Sequence, residues 1–164
     1  MNKSATTKPV FLSLGSNTGN RAANLRDAIA HLSGIMCVLA VSSLYETEPV
    51  EFTGQPWFLN CAVSGETADP PEHLMHNLLS IEKQMGRKRT QPKGPRKIDI
   101  DILFYGDEMV DTPDLKIPHP AMHQRRFVLA PLAEIAPDFR HPVLKKSVRE
   151  LLEELPPGQV VSKV

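Results

Sequence analysis

Two aspartates stand at alternate positions in an otherwise apolar run, "IDIDILFYG", which begins at Ile98. Side chains alternate between the two faces of a β-strand, so Asp99 and Asp101 should project to the same side, about 7 Å apart along the strand. Carboxylates this close repel each other unless something positive lies between them. Their oxygens suit Mg²⁺, which is commonly shared with substrate phosphates. The alternative is a solvated strand face on which the aspartates pair with Arg96 or Lys97.

The segment before this strand, "RKRTQPKGPRK", is strongly basic and is interrupted by proline and glycine, which argues against a helix. Its basic residues are Arg87, Lys88, Arg89, Lys93, Arg96 and Lys97. Guanidinium groups bind phosphate oxygens in a bidentate manner. Beside paired aspartates, such a loop favours a metal–polyphosphate complex. The alternatives are a solvated basic loop and a loop that contacts RNA phosphates.

The usual glycine-rich phosphate loops are missing from the sequence. It contains no G-x-x-x-x-G-K-[ST], and "LGSNTGN" does not fit G-x-G-x-x-G. We expect "LGSNTGN" to form a turn in which Asn17 or Asn20 caps the following helix. Asp69 is expected to cap a second helix, and Ser147 with Glu150 forms a capping-box pattern at the last one. Any nucleotide should therefore be held by side chains.

The composition indicates an ordinary globular protein. The hydrophobic fraction is 41%, and 19 basic residues balance 19 acidic residues. This excludes a disordered chain and gives no general attraction to nucleic acid or to an anionic membrane. Residues 1–164 are expected to form a single domain, working as a cytoplasmic monomer without membrane or nucleic-acid partners. Cys37 and Cys61 lie in strand-like runs and are expected to be buried, reduced thiols.

The predicted elements must position the aspartates. Their order is strand–helix–strand–strand–helix–strand, the ferredoxin-like βαββαβ pattern of the α+β class, followed by extra C-terminal helices. We expect an antiparallel sheet with helices on one face. The strand-like run "MCVLAVSSLYET" is taken as one strand of this sheet. Ile98, Ile100 and Ile102 would face the helices, and the aspartates would face the other way.

Several segments together resemble the 6-hydroxymethyl-7,8-dihydropterin pyrophosphokinase family of folate biosynthesis. They are "LSLGSNTGNRAANL", "SSLYETEPV", "QPWFLNCAV", "IEKQMGR", "GPRKIDIDIL" and "IPHPAMHQRRFVLAPLAEIAPD". The combination of the last two is highly specific. The resemblance implies the ferredoxin-like fold. It also implies transfer of pyrophosphate from ATP to the hydroxymethyl group of the pterin, with release of AMP and use of two Mg²⁺ ions.

The resemblance also implies roles for individual residues. The catalytic set would be Arg87, Arg96, Asp99 and Asp101, in which the two aspartates bind the metal. ATP would contact Arg89, Arg96, His119 and Arg125. The pterin would contact Thr47, Pro49, Val50, Phe58, Asn60 and Phe127. Asp101 is the better candidate for accepting the proton of the pterin hydroxyl. Lys93 stands where some members of the family carry tryptophan.

Two other functions are consistent with the same pattern. Four-stranded sheets of this topology can stack RNA bases on exposed aromatic residues, although the aromatic fraction here is only 5% and the aspartates would repel phosphates. A pterin-binding protein that has lost its chemistry is the third hypothesis, and the presence of both aspartates disfavours it.

Overall fold

The computed structural model describes residues 6–48, 56–86 and 96–164. Its helices are α1 (Arg21–Leu32), α2 (Pro71–Gln84), α3 (Arg126–Ile135) and α4 (Val148–Glu153). Its strands are β1 (Lys8–Ser16), β2 (Cys37–Val41), β3 (Tyr45–Thr47), β4 (Phe58–Thr67), β5 (Asp99–Tyr105), β6 (Val110–Asp111), β7 (Lys116–Ile117) and β8 (Val161–Lys163). Within these ranges, no helix combines the length and the apolar character needed to cross a membrane.

The main sheet is antiparallel and is built around β4. Its order is β5–β1–β4–β3–β8, and β2 pairs with β4 on the same side as β3. The run expected to be one strand is therefore divided into β2 and β3. The Ser42 hydroxyl accepts a hydrogen bond from the Ala62 backbone N–H and donates one to the Ser43 carbonyl, each 2.8 Å long. A side chain thus replaces a backbone group in the ladder, and this interrupts the strand.

One face of the sheet packs against α1 and α2, as the sequence predicts. Ile98, Ile100 and Ile102 are buried there in one cluster with residues from both helices and from β1. The helical members are Leu25, Ala28, Leu32, Leu74, Leu78 and Ile81. The period-two alternation of β5 therefore turns the aspartates away from the main core.

The opposite face of the sheet is covered in part by α3, one of the extra C-terminal helices. A second cluster of buried residues joins α3 and α4 to β1, β4 and β5. The register between β1 and β5 shifts by one residue at Phe11, so that Leu12 pairs with Ile102 and Phe11 with Phe104. This irregularity turns both Leu103 and Phe104 toward α3. After Asp101 along β5, the sheet therefore has helices packed on both of its faces.

The helix starts agree with the sequence except at α2. The Asn20 side chain accepts from the Ala23 backbone N–H at 3.1 Å, and Ser147 and Glu150 form the predicted capping box. At α2 the N-cap is Pro70, without a side-chain cap, so the role expected for Asp69 is wrong. The Asp69 backbone is used instead, because its carbonyl accepts a hydrogen bond from the Tyr105 hydroxyl.

The two cysteines have different environments. Cys61 is buried in the main core, and burial raises the pKa of its thiol to about 12. Cys37 lies at the start of β2 and is exposed, so the expectation that both thiols are buried is wrong for this one. The β2 strand pairs only with β4 within the described residues, which leaves its first residue at a sheet margin.

Candidate active site

The two aspartates lie on an edge strand, on the face opposite the isoleucines. Asp99 pairs with Gly15 of β1, and Asp101 pairs with Ser13. Both aspartates are half-buried. Residues in register on neighbouring strands share a face. Asp101 therefore lies beside the hydroxyl of Ser13, and Asp99 lies beside Gly15, which has no side chain. The two β1 residues therefore add little bulk beside the aspartates, whose carboxylates offer hard oxygen donors.

Side chains and loops from outside the sheet fix the edge of β5. The buried carboxylate of Glu82, on α2, accepts a hydrogen bond of 2.7 Å from the Ile100 backbone N–H. The His119 backbone N–H donates to the Leu103 carbonyl at 3.1 Å. An unprotected edge would be free to shift or to pair with other chains. These contacts therefore hold the strand that carries the aspartates.

Arg96 lies beside the aspartate pair. Its Nη1 is 3.3 Å from the Asp99 Oδ2, and both side chains are about a fifth exposed, 21% and 23%. This is the pairing that the sequence left open as an alternative to a metal site. A guanidinium has five N–H donors, so one bond to Asp99 does not exhaust its capacity to bind phosphate.

Asn17 organises this corner, a role that the sequence analysis missed. Its Oδ1 accepts from the Arg96 backbone N–H at 2.6 Å, and its own backbone N–H donates to the Arg96 carbonyl at 3.0 Å. Its Nδ2 donates to the Pro56 carbonyl at 3.2 Å. The partners are 79 and 39 residues away along the chain, so no local pattern could predict these contacts.

His119 connects the aspartates to the start of α3. Burial lowers the pKa of its imidazole below 6.5, the charge of Arg125 lowers it further, and Asp99 raises it in part. The ring Nδ1 accepts a hydrogen bond from the Ala121 backbone N–H at 3.2 Å. The neutral ring therefore carries its proton on Nε2, where it can donate to an anion.

Arg125 and Phe127 stand together at the beginning of α3. The guanidinium carbon of Arg125 is 5.6 Å from the centroid of the Phe127 ring, a cation–π distance. Phe127 is partly buried and packs against the second core cluster. The ring is thereby held firmly while part of it stays exposed, as a stacking surface for a flat ligand requires.

Thr47, Phe58 and Asn60 form a polar and aromatic patch on the same face as the aspartates. Thr47 pairs with Phe58, and Tyr45 pairs with Asn60 across β3 and β4. Thr47 and Asn60 are 2% and 3% exposed, yet the Thr47 Oγ1 and the Asn60 Oδ1 have no hydrogen-bond partner within the described chain. Buried polar atoms are normally satisfied. Two orphans at one place therefore indicate a site that a polar ligand completes.

Gly15 joins the polar patch to the aspartates, and the sequence analysis did not identify it. It pairs with Asp99 on one side and with Asn60 on the other. Adjacent strands lie about 4.8 Å apart, so the backbones of Asp99 and Asn60 are separated by about 10 Å. A Cβ at Gly15 would lie 2.8 Å from the Asn60 Nδ2 and 3.5 Å from the Phe58 ring. Glycine thus allows the Asn60 amide to lie over β1.

Replacing Gly15 with alanine should therefore displace the Asn60 amide. We expect Gly15→Ala to weaken binding of a pterin substrate about tenfold, because one hydrogen-bonding group is misplaced. Calorimetric titration with the pterin measures this effect. Gly34→Ala is the matched control, since its added Cβ would meet only the His31 carbonyl, at an ordinary 3.4 Å. Equal pterin affinity in parent and Gly15→Ala would contradict the assignment of Asn60.

Four of the predicted site residues lie outside the described residues: Pro49, Val50, Arg87 and Arg89. Lys93 lies outside them too. Of the others, five lie on one face of the sheet (Thr47, Phe58, Asn60, Asp99 and Asp101), two stand at the start of α3 (Arg125 and Phe127), and Arg96 and His119 lie near Asp99. Within residues 6–48, 56–86 and 96–164, no three or more His, Cys, Asp or Glu side chains are grouped as a metal site. Two carboxylates alone suit an ion that a phosphate ligand also coordinates.

Comparison with known proteins gives consistent results. A family model described as 7,8-dihydro-6-hydroxymethylpterin-pyrophosphokinase matches residues 11–137. The chain is 44% identical over 152 residues to the 2-amino-4-hydroxy-6-hydroxymethyldihydropteridine pyrophosphokinase of Methylorubrum extorquens, covering 92% of the chain and 95% of that protein. It is 39% identical over 145 residues to the enzyme of the same name from Aquifex aeolicus, covering 88% of the chain and 91% of that protein.

Other relatives are much longer than this chain. The folic acid synthesis protein fol1 of Pneumocystis carinii is 45% identical over 148 residues, which are 89% of this chain but 20% of that protein. The chain spans a similarly small part, 21% and 24%, of two further proteins of folic acid synthesis. Among solved structures, wild-type HPPK-DHPS of Plasmodium falciparum superimposes with a TM-score of 0.74 at 18% identity, covering 93% of this chain and 45% of that one. At this identity the likeness concerns the fold alone.

Proposed function

Because the chain belongs to the 7,8-dihydro-6-hydroxymethylpterin-pyrophosphokinase family, we propose that it transfers a pyrophosphoryl group from ATP to the hydroxymethyl oxygen of 6-hydroxymethyl-7,8-dihydropterin. The main support from the structure is the pair of buried, unsatisfied oxygens on Thr47 and Asn60. They lie on the same sheet face as the paired aspartates: only Gly15 separates Asn60 from Asp99, and Thr47 lies one strand further away, on β3. This proposal treats residues 1–164 as one domain, a cytoplasmic monomer that acts on small molecules.

The pterin end of the site would use the polar patch and Phe127. An amide presents both a donor and an acceptor, which matches the amide-like edge of a pterin ring, and the Thr47 hydroxyl can do the same. Phe58 and Phe127 would sandwich the flat heterocycle. Pro49 and Val50 are assigned to the same pocket on the resemblance alone. Binding at this end would direct the hydroxymethyl group toward the aspartates.

The phosphate end would use the basic residues. Arg96, with Arg87, would neutralise charge on the phosphates as the new oxygen–phosphorus bond forms. His119 and Arg125, with Arg89, would bind phosphate or ribose oxygens of ATP. The neutral His119 ring fits this role because its Nε2–H can donate a hydrogen bond to such an oxygen. Positioning and electrostatic stabilisation supply most of the rate in phosphoryl transfer.

Asp99 and Asp101 would hold Mg²⁺, two ions by the family resemblance. Their hard oxygen donors, on the same face of β5, fit such ions. Bound magnesium would shield the triphosphate charge and lower the pKa of the pterin hydroxyl. Asp101 would accept the hydroxyl proton. The bond from this oxygen to the β-phosphorus forms while the bond from the β-phosphorus to the oxygen on the α-phosphate breaks, and AMP leaves.

The decisive experiment is product analysis. Incubation with ATP, Mg²⁺ and 6-hydroxymethyl-7,8-dihydropterin should give AMP and the pyrophosphorylated pterin in equal amounts. A parallel incubation without pterin should give no AMP, which excludes simple hydrolysis of ATP. ADP as the only nucleotide product would contradict pyrophosphoryl transfer. Pterin binding without any product would instead support a binding protein that lacks the chemistry.

The RNA-binding alternative is disfavoured by the second layer of helices. Stacking of bases requires aromatic side chains exposed on the open face of the sheet. Phe11 and Phe104, the aromatic residues of β1 and β5 on that face, are 8% and 0% exposed, because they are buried in the cluster with α3 and α4 and against Phe139. Phe58 lies on the part of that face left open, but so do the aspartates, which would repel phosphates.

A further inference from the structure

The C-terminal segment, residues 155–163, connects the two sides of the proposed pterin pocket. At one end, the Arg126 Nη2 donates to the carbonyls of Leu155 and Pro156, at 3.4 and 3.1 Å. Arg126 is the first residue of α3 and precedes Phe127. At the other end, β8 pairs with β3, and Val161 lies opposite Thr47. The segment therefore contacts β3 and α3, and each of these elements carries one wall of the proposed pocket.

Glu48 is held by this segment through three hydrogen bonds. The Gln159 Nε2 donates to the Glu48 carbonyl at 2.7 Å, and the Val160 backbone N–H donates to the Glu48 Oε1 at 2.8 Å. The Glu48 backbone N–H donates to the Val160 carbonyl at 3.2 Å. Glu48 directly follows Thr47, whose unsatisfied hydroxyl belongs to the polar patch. The C-terminal segment therefore contacts both Thr47, through strand pairing, and the residue that follows it.

The segment lies beyond the part of the chain that the family model covers, which ends at residue 137. Its contacts are nevertheless long-range, since Gln159 and Glu48 are 111 residues apart. Of the groups in the segment that bind Glu48, only the Gln159 amide belongs to a side chain, so it can be changed by substitution. A neutral amide that donates to a carbonyl contributes modestly to stability but fixes a direction.

We propose that Gln159 is a positioning residue for the pterin: the C-terminal segment sets the distance between the β3 end of the pocket and Phe127 on α3. This inference rests on the proposed function. Beyond its pairing with β3, the segment makes its hydrogen bonds and ion pair to Glu48 and to Arg126 and Glu134 on α3. Loss of the Gln159 contact at the β3 end is therefore expected to affect recognition of the pterin and to leave the chemical step and the nucleotide alone.

Steady-state kinetics with Gln159→Ala and with Gln159→Glu test the inference. The second variant keeps the shape of glutamine but replaces the donor with an acceptor. Both variants are expected to raise the KM for the pterin about threefold to tenfold, the range that one neutral hydrogen bond is worth, with kcat and the KM for ATP unchanged. Ser162→Ala is the matched control, because its exposed side chain lies on the same segment. An unchanged pterin KM in Gln159→Ala overturns the inference, as does a parallel loss in kcat.

A double-mutant cycle separates one connecting segment from two independent contacts. Arg126→Ala releases the other end of the segment and is also expected to raise the pterin KM. The double variant should be little worse than either single variant, since the connection is already lost. Fully additive effects overturn the inference. A parent protein that forms no AMP would refute the proposed function, whereas an active parent with indifferent Gln159 variants refutes only the positioning role.

Discussion

Asp99→Asn and Asp101→Asn are each expected to lower AMP formation at least about a thousandfold. Several kcal/mol of electrostatic stabilisation are lost when a metal-binding carboxylate becomes a neutral amide, and each 1.4 kcal/mol is about a tenfold change in rate. Folding should be little affected, because both side chains point away from the isoleucine core. Initial rates over a range of Mg²⁺ concentrations test the expected loss of activity, and the melting temperature of each variant tests whether folding is affected.

Asp107→Asn is the matched control for this prediction. Asp107 is exposed and lies shortly after the end of β5. Its substitution removes the same charge from the same part of the chain. Calorimetry adds a second test that does not depend on turnover: Mg²⁺ should strongly enhance binding of a non-hydrolysable ATP analogue to the parent and should no longer enhance it in the aspartate variants. If either aspartate variant retains the parental rate, the metal assignment is wrong.

Arg96→Ala is expected to lower kcat by about a hundredfold to a thousandfold, the cost of removing one well-placed stabilising group in other enzymes. The pterin KM should change little, because Arg96 lies on the far side of Gly15 from the polar patch. The effect should fall on the chemical step, since charge on the phosphates has to be neutralised as the bond to β-phosphorus forms. Single-turnover measurements at saturating substrates isolate that step.

Two further variants make the Arg96 result specific. Arg96→Lys keeps the charge but not the planar fork of donors, so an intermediate rate is expected. Arg26→Ala removes a guanidinium from the exposed side of α1 and should behave like the parent. A parental kcat in Arg96→Ala would show that Arg96 only neutralises Asp99, the alternative that their 3.3 Å contact supports.

Asn17 holds two residues that are far apart in the sequence, and each of them follows a segment with proposed ligand contacts. Asn17 contacts Pro56 and Arg96, which directly follow residues 49–55 and 87–95. One of these segments carries proposed pterin contacts, and the other carries proposed phosphate contacts. A single buried residue therefore fixes the position of the residue that follows each segment. Its position immediately after β1 places it beside Gly15, between the two halves of the site.

The sequence by itself determined the local features of this protein. The alternation of isoleucine and aspartate in β5 predicted which residues are buried, because side-chain direction in a strand depends only on residue parity. The order of strands and helices predicted the ferredoxin-like core, and short-range capping residues such as Asn20 and Ser147 were predicted correctly. These features depend on neighbours a few positions away, so they can be read from adjacent letters.

Only the tertiary structure decided how the pieces of the site meet. The contacts of Asn17, the position of the Asn60 amide over Gly15, and the pairing of β8 with β3 all join distant parts of the chain. The register shift at Phe11 turned a second face of β5 toward α3, which no alternation pattern anticipates. Register and packing are collective properties: moving a strand by one residue reverses every side chain on it, and only the assembled sheet fixes that choice.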